Sequence, residues 1–74
     1  MMKKTIMLEE LECAHCAAKM EKAVGELAGV ESCSVNFLTQ KMEITADESA
    51  MAEILKAAEK IVKKIEPDVE FVVK

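Results

Sequence analysis

Two cysteines separated by two residues, Cys13 and Cys16, have the clearest chemical capacity in this sequence. They belong to the segment Leu11-Glu12-Cys13-Ala14-His15-Cys16, which follows a short apolar stretch and leads into a helical pattern. This spacing lets both sulfur atoms converge on one point, and the N–H groups and dipole at a helix start favour a thiolate. Two converging thiolates form a soft site, which suits Zn(II), Cd(II), Pb(II), Hg(II) or Cu(I) better than Mg(II) or Ca(II).

The number of available ligands distinguishes a structural metal site from an exchangeable one. A closed structural zinc site has four protein ligands, whereas this chain has one C-x-x-C pair, one histidine and one distant cysteine. We therefore expect an incomplete site that accepts and releases its ion, with Cys13 and Cys16 as metal ligands. Glu12 is either a third ligand, since a carboxylate suits a divalent ion, or a solvated loop residue.

Three other features are expected to lie outside the site. His15 should point outward, because adjacent helical residues diverge by about 100°, although a flexible loop would let it ligate. Cys33 alternates with Val35 and Phe37, so we expect it to pack in the core as a small hydrophobe. Several methionines fit the apolar stripes of helices or strands, so we expect them to fill the core and not to bind copper: Met20, Met42 and Met51.

Length and composition exclude several function classes. The 74 residues predict one domain over 1–74, and 51% hydrophobic content predicts a folded chain. A net charge of −4, no arginine and no Trp or Tyr argue against nucleic acid as a partner. Apolar stretches are too short for membrane insertion or a signal peptide, so we expect a cytoplasmic, reducing setting.

The elements that position the cysteines follow from the hydrophobic pattern. Alternation predicts strands and a period near 3.6 predicts two amphipathic helices, with Gly29 ending the first helix and Pro67 ending the second. Asp47 or Ser49 is expected to cap the second helix. The predicted order is a strand over 4–8, a loop over 9–15, a helix from Cys16, strands over 30–38 and 41–45, a helix ending near Ile65 and a strand over 69–73.

This β-α-β-β-α-β order predicts an α+β fold of the ferredoxin-like type. In that arrangement two helices cover one face of a four-stranded antiparallel sheet. The fold alone does not define a function.

The sequence resembles the heavy-metal-associated domain family, found as small cytosolic metallochaperones and as N-terminal modules of metal-exporting P-type ATPases. The resemblance extends over essentially the whole chain: the element order, the C-x-x-C loop before the first helix, and Gly29-Val30 leading into Val35-Asn36. The usual loop of the family reads Gly-Met-Thr/Asp-Cys-x-x-Cys. Here Glu10 replaces the glycine and Leu11 replaces the methionine, which conserves volume.

The resemblance also bears on the ion. Copper members usually have a threonine-type residue before the first cysteine, and zinc, cadmium and lead exporters tend to have aspartate; this chain has Glu12. Copper carriers often have an aromatic residue before the last strand, where this chain has Glu66-Pro67-Asp68. With the run Cys-Ala-His-Cys-Ala-Ala-Lys, these features imply Zn(II), Cd(II) or Pb(II), with Cu(I) as the alternative.

The expected function is therefore metal binding and transfer, not catalysis by this chain. It would be a monomer whose partner is the membrane domain of a metal-transporting ATPase or another metal-binding domain. The sequence contains no P-loop glycine pattern and no Asp-Lys-Thr phosphorylation sequence. The alternatives are a free-standing copper(I) chaperone and, because C-x-x-C also occurs in redox proteins, a thiol oxidoreductase.

Overall fold

The computed structural model describes residues 2–73, which form four strands and two helices in the predicted order. Alternating apolar residues form the strands, and the apolar stripes lie on the helices. The bounds are β1 (Met2–Glu9), α1 (Ala14–Gly25), β2 (Val30–Asn36), β3 (Lys41–Ala46), α2 (Glu48–Ile65) and β4 (Glu70–Val73).

The sheet is antiparallel throughout, with strand order β2-β3-β1-β4. This is the ferredoxin-like arrangement, and it confirms the predicted fold. The register sets the ends of the strands: Met7 of β1 lies opposite Lys41 of β3, and Glu9 lies opposite Glu70 of β4. The carboxyl end of β1 therefore meets the amino ends of β3 and β4. Three connections converge there, over residues 10–13, 37–40 and 66–69.

One hydrophobic core lies between the helices and one face of the sheet. Buried residues alternate along the two central strands and recur at helical spacing in α1 and α2, which is the pattern expected for a sheet covered on one side. The largest fully buried side chains come from four of the six elements and from two connections: Ile6, Leu8, Leu11, Met20, Val24, Met42, Ile44, Val62 and Val69. Leu11 and Val69 lie within two of the converging connections, so the core reaches the end where the cysteines lie.

The bounds of α1 differ from the sequence prediction at both ends. The helix begins at Ala14 and ends at Gly25, with Glu26 as its C-cap. Gly29 does not end the helix; it lies in the following turn with a φ of +92°, a left-handed conformation that favours glycine. A Cβ atom there would also contact Ala50 and Ile54 at 3.4 Å. Gly29 therefore allows this turn to lie close to α2.

The strand and second-helix predictions are confirmed with small shifts. β1 is longer than predicted, β2 ends at Asn36, and β4 begins at Glu70, although Val69 is fully buried. Asp47 is the N-cap of α2, where its side chain accepts a hydrogen bond from the Ser49 N–H at 3.5 Å. Within residues 2–73 no helix combines the length and apolar character needed to cross a bilayer.

Candidate metal centre

A tight turn carries the chain from β1 into the cysteine loop. The Leu11 N–H donates to the Leu8 carbonyl at 3.3 Å, and Glu10, inside this turn, has a φ of +67°. Both leucines are buried, so the turn is anchored in the core at each end. Glu10 stands where the related loop usually has glycine, and the positive φ explains that preference, because glycine adopts it without strain.

Cys13 is the N-cap of α1, and this explains why the helix starts earlier than predicted. Its backbone is extended (φ −121°, ψ 110°), and its sulfur accepts a hydrogen bond from the Cys16 N–H at 3.1 Å. The sulfur thus satisfies one of the unpaired N–H groups at the helix start, as a Ser or Asp side chain does at other N-caps. Cys13 and Cys16 are brought together within the first turn, and both are partly exposed.

The loop before β4 brings a third group to the site, the carboxylate of Glu66. The Cys16 thiol donates to Glu66 Oε2 at an S···O distance of 3.8 Å. Pro67 accounts for this position, because a residue before proline avoids the helical conformation. Glu66 accordingly leaves α2 with a φ of −142° and a ψ of 90°, while its N–H still donates to the Val62 carbonyl at 2.8 Å.

Sequence reasoning missed this role of Glu66. The segment Glu66-Pro67-Asp68 was interpreted only as lacking an aromatic residue. The available signal was the carboxylate directly before a proline, in a loop that the predicted topology returns to the carboxyl end of β1.

The two thiols differ in acidity, and the thiolate that the helix start favours lies at Cys13, the N-cap. The pKa of Cys13 lies below its ordinary value of 9.0, chiefly because its sulfur accepts hydrogen bonds from the Cys16 side chain and backbone N–H. Donation to Cys13, desolvation and the nearby charges of Cys13 and Glu66 raise the pKa of Cys16 to about 11. Cys13 therefore carries the first thiolate, and Cys16 holds its proton until an ion or another acceptor displaces it.

The remaining candidates differ in their exposure to solvent. Glu12 and His15 are exposed. Cys33 packs against the hydrophobic core from β2, where burial is the main cause that raises its thiol pKa to about 11. Among residues 2–73, no three His, Cys, Asp or Glu side chains are grouped closely enough to hold a metal ion. A third protein ligand would therefore have to move toward the cysteines.

A ferredoxin-like fold with two partly exposed cysteines at the start of its first helix defines a small soft-metal-binding module. The sequence model for the heavy-metal-associated domain matches residues 5–69. The chain therefore belongs to the heavy-metal-associated domain family, as its sequence features predicted. Domains of this kind bind heavy metals and are not catalytic by themselves.

The relatives include transporters and a chaperone. Over 69 residues the chain is 33% identical to the cadmium, zinc and cobalt-transporting ATPase of Bacillus subtilis, covering 93% of this chain and 10% of that protein. It is 36% identical over 61 residues to the copper chaperone CopZ of the same organism, covering 80% of this chain and 88% of the chaperone. The chain thus spans about a tenth of the ATPase but most of the chaperone.

A solved structure supports the fold. Oxidised MerP from Ralstonia metallidurans superimposes with a TM-score of 0.74 over 99% of this chain and 96% of that one, at 21% identity. At this identity the likeness concerns the fold alone.

Proposed function

We propose that this chain binds one soft divalent ion, Zn(II), Cd(II) or Pb(II), through Cys13 and Cys16. It would pass the ion on by ligand exchange as the N-terminal delivery module of a metal-exporting P-type ATPase. The observation that carries this proposal is the Glu66 carboxylate, 3.8 Å from the Cys16 sulfur. A carboxylate oxygen beside a thiol pair suits a divalent ion that takes three or four ligands, and adds little for two-coordinate Cu(I).

Loading follows from the acidity of the two thiols. The Cys13 thiolate binds the ion first, since its pKa is the lower one. Coordination then displaces the Cys16 proton, and Glu66, which already accepts the hydrogen bond from that thiol, is placed to take it. Glu66 passes this proton on to solvent, and its carboxylate and that of the exposed Glu12 then offer oxygen donors to complete the coordination.

Unloading uses the exposure of the same pair. Both cysteines are partly accessible and the ligand set is incomplete, so a thiolate or carboxylate of a partner can bond to the ion before a resident cysteine leaves. No free ion is released in such an exchange. The partner would be the membrane domain of the ATPase or another metal-binding domain on the cytosolic side. The similarity to a cadmium, zinc and cobalt transporter supports this assignment.

The second candidate is a free-standing copper(I) chaperone. The 36% identity to CopZ over most of that chaperone's length favours it. Cys13 and Cys16 alone would satisfy Cu(I). The two functions differ in whether carboxylates contribute to affinity.

Chelator-competition titrations of Zn(II) and Cu(I) test the choice. For Glu66→Gln we expect Zn(II) affinity to fall roughly 10- to 100-fold, the usual cost of losing a group that supports a metal ligand, with Cu(I) affinity nearly unchanged. Glu12→Thr tests the exposed carboxylate in the same way. Asp68→Asn is a matched control, since it removes an exposed carboxylate from the same loop. Equal Zn(II) affinity in wild type, Glu66→Gln and Glu12→Thr would favour the copper chaperone.

A further inference from the structure

The turn that leads into the cysteine loop makes two hydrogen bonds with one residue of another connection, in addition to the pairing of Leu8 and Glu9 with β4. Gln40, in the β2–β3 turn, accepts a hydrogen bond from the Leu8 N–H through its backbone carbonyl at 2.8 Å. Its side-chain Nε2 donates to the Leu11 carbonyl, also at 2.8 Å. Leu8 and Leu11 are the two ends of the turn that contains Glu10. Gln40 is therefore hydrogen-bonded to both ends of this turn, and its bond to Leu11 joins residues 29 positions apart in the sequence.

The backbone of Gln40 adopts a left-handed conformation at the end of the β2–β3 turn, a position where hairpin loops often have one. Its φ is +57°, and among residues 2–73 the only other non-glycine residue with a positive φ is Glu10 at +67°. Glycine or asparagine adopts this conformation more readily than glutamine. The two left-handed residues lie in the two turns that the Gln40 hydrogen bonds connect. Strain of this kind persists where surrounding contacts hold it in place, and it is concentrated at functional sites.

Cys13 lies close in sequence to this contact. Only Glu12 separates Leu11 from Cys13 in the chain. The Leu11 side chain is buried in the core, and the Gln40 amide donates a hydrogen bond to the Leu11 carbonyl. The N-cap residue thus lies two positions after a residue whose side chain is buried and whose carbonyl is hydrogen-bonded.

We infer that Gln40 is a positioning residue of the metal loop, whose amide clamp on Leu11 preorganises the sulfur of Cys13 for the ion. The identity of the ion rests on the proposed function; the effect of the clamp on the loop does not. Preorganised ligands bind more tightly because less conformational freedom is lost on binding. Without the clamp the loop samples other arrangements, and the thiol pair must be ordered by the ion itself.

Two substitutions separate positioning from stability. Gln40→Asn keeps an amide and suits the left-handed backbone, but its side chain is one methylene shorter and does not reach the Leu11 carbonyl. Gln40→Glu keeps the length and removes the N–H donor. Thr39→Ala is the matched control, because Thr39 is an exposed neighbour in the same turn whose recorded hydrogen bond uses only its backbone N–H.

The measurements are amide hydrogen exchange of the metal-free protein and Cd(II) competition titration with the cadmium NMR shift. In both Gln40 variants we expect exchange at residues 11–16 to accelerate and Cd(II) affinity to fall, each by roughly two- to tenfold, the range for one lost neutral hydrogen bond. The unfolding midpoint of Gln40→Asn should stay at or above the wild-type value, and Thr39→Ala should match wild type throughout.

Three results would overturn the inference. They are unchanged exchange in the loop, faster exchange with unchanged Cd(II) affinity and NMR shift, or affinity that falls only in proportion to a lower unfolding midpoint. A wild-type protein that binds no Cd(II) through its thiols would instead overturn the proposed function. In that case the metal-free exchange comparison would still decide whether Gln40 holds the loop.

Discussion

Replacing Glu10 by glycine should stabilise the metal-free protein. Glu10 has a φ of +67° in the turn closed by the Leu11 N–H and the Leu8 carbonyl. Its side chain is exposed. Because the related loop usually has glycine at this position, Glu10→Gly keeps the turn and removes its backbone strain.

The magnitude follows from two opposing terms. A non-glycine residue in the left-handed region costs about 1–2 kcal/mol. Glycine enlarges the conformational freedom of the unfolded chain, which costs about 0.4–1 kcal/mol. The free energy of unfolding should therefore rise by about 0.8 kcal/mol, the difference between the midpoints of those ranges. For a domain of this size that corresponds to an increase in Tm of roughly 3–6 °C.

Urea unfolding of the reduced, metal-free protein measures this change, with Glu10→Ala as the control. Alanine removes the same carboxylate from an acidic chain but keeps the left-handed penalty, so its stability should stay within about 0.5 kcal/mol of wild type. If Glu10→Gly were less stable than Glu10→Ala, backbone strain at this turn would be refuted. Equal stabilisation by both variants would assign the effect to charge instead.

Three further predictions concern the thiols and a helix cap. With iodoacetamide near pH 8, Cys13 should react roughly tenfold faster than Cys16, because the pKa of Cys13 lies below 9.0 and that of Cys16 is about 11. Peptide mass spectrometry over a time course gives the order of reaction, and faster reaction at Cys16 would contradict the assignment of the more acidic thiol to Cys13. Burial raises the pKa of Cys33 from 9.0 to about 11, so the stability contributed by the buried neutral thiol is fully present below pH 9 and is lost as pH rises toward 11. The free energy of unfolding should therefore fall less steeply between pH 9 and 11 in Cys33→Ala than in wild type, and the same pH dependence in both proteins would contradict this. Asp47→Ala removes the side chain that caps α2 and should cost about 1 kcal/mol in urea unfolding, whereas no loss would show that the cap contributes little.

The elements were predictable from sequence wherever the hydrophobic period was long and regular. The α2 stripe, the alternation in β3 around Met42 and Ile44, and the Asp47 cap all appear as predicted. The start of α1 was not predicted correctly, because the N-cap is a cysteine sulfur in place of the usual side-chain oxygen and the helix begins at Ala14. The end of α1 at Gly25 was also not predicted, because Gly29 was expected to end the helix but lies in the following turn.

The candidate site was predictable only where its residues are neighbours in the chain. Cys13 and Cys16 were identified from their spacing, and their proximity is confirmed by the hydrogen bond between them. The Glu66 and Gln40 contacts join distant parts of the chain, so they depend on loop conformation that hydrophobic periodicity does not encode. The relative acidity of the two thiols likewise depends on which sulfur accepts hydrogen bonds and which thiol donates one.

The measurement that tests metal binding by the cysteine pair most directly is Cd(II) titration against a chelator, followed by thiolate-to-metal absorption. Wild type and Cys33→Ser should each bind one ion per chain, while Cys13→Ser and Cys16→Ser should lose most of the affinity and thiolate absorption. Circular dichroism confirms that each variant is folded. Wild-type affinity in Cys13→Ser or Cys16→Ser, or loss of binding in a folded Cys33→Ser, would contradict the assignment of the site.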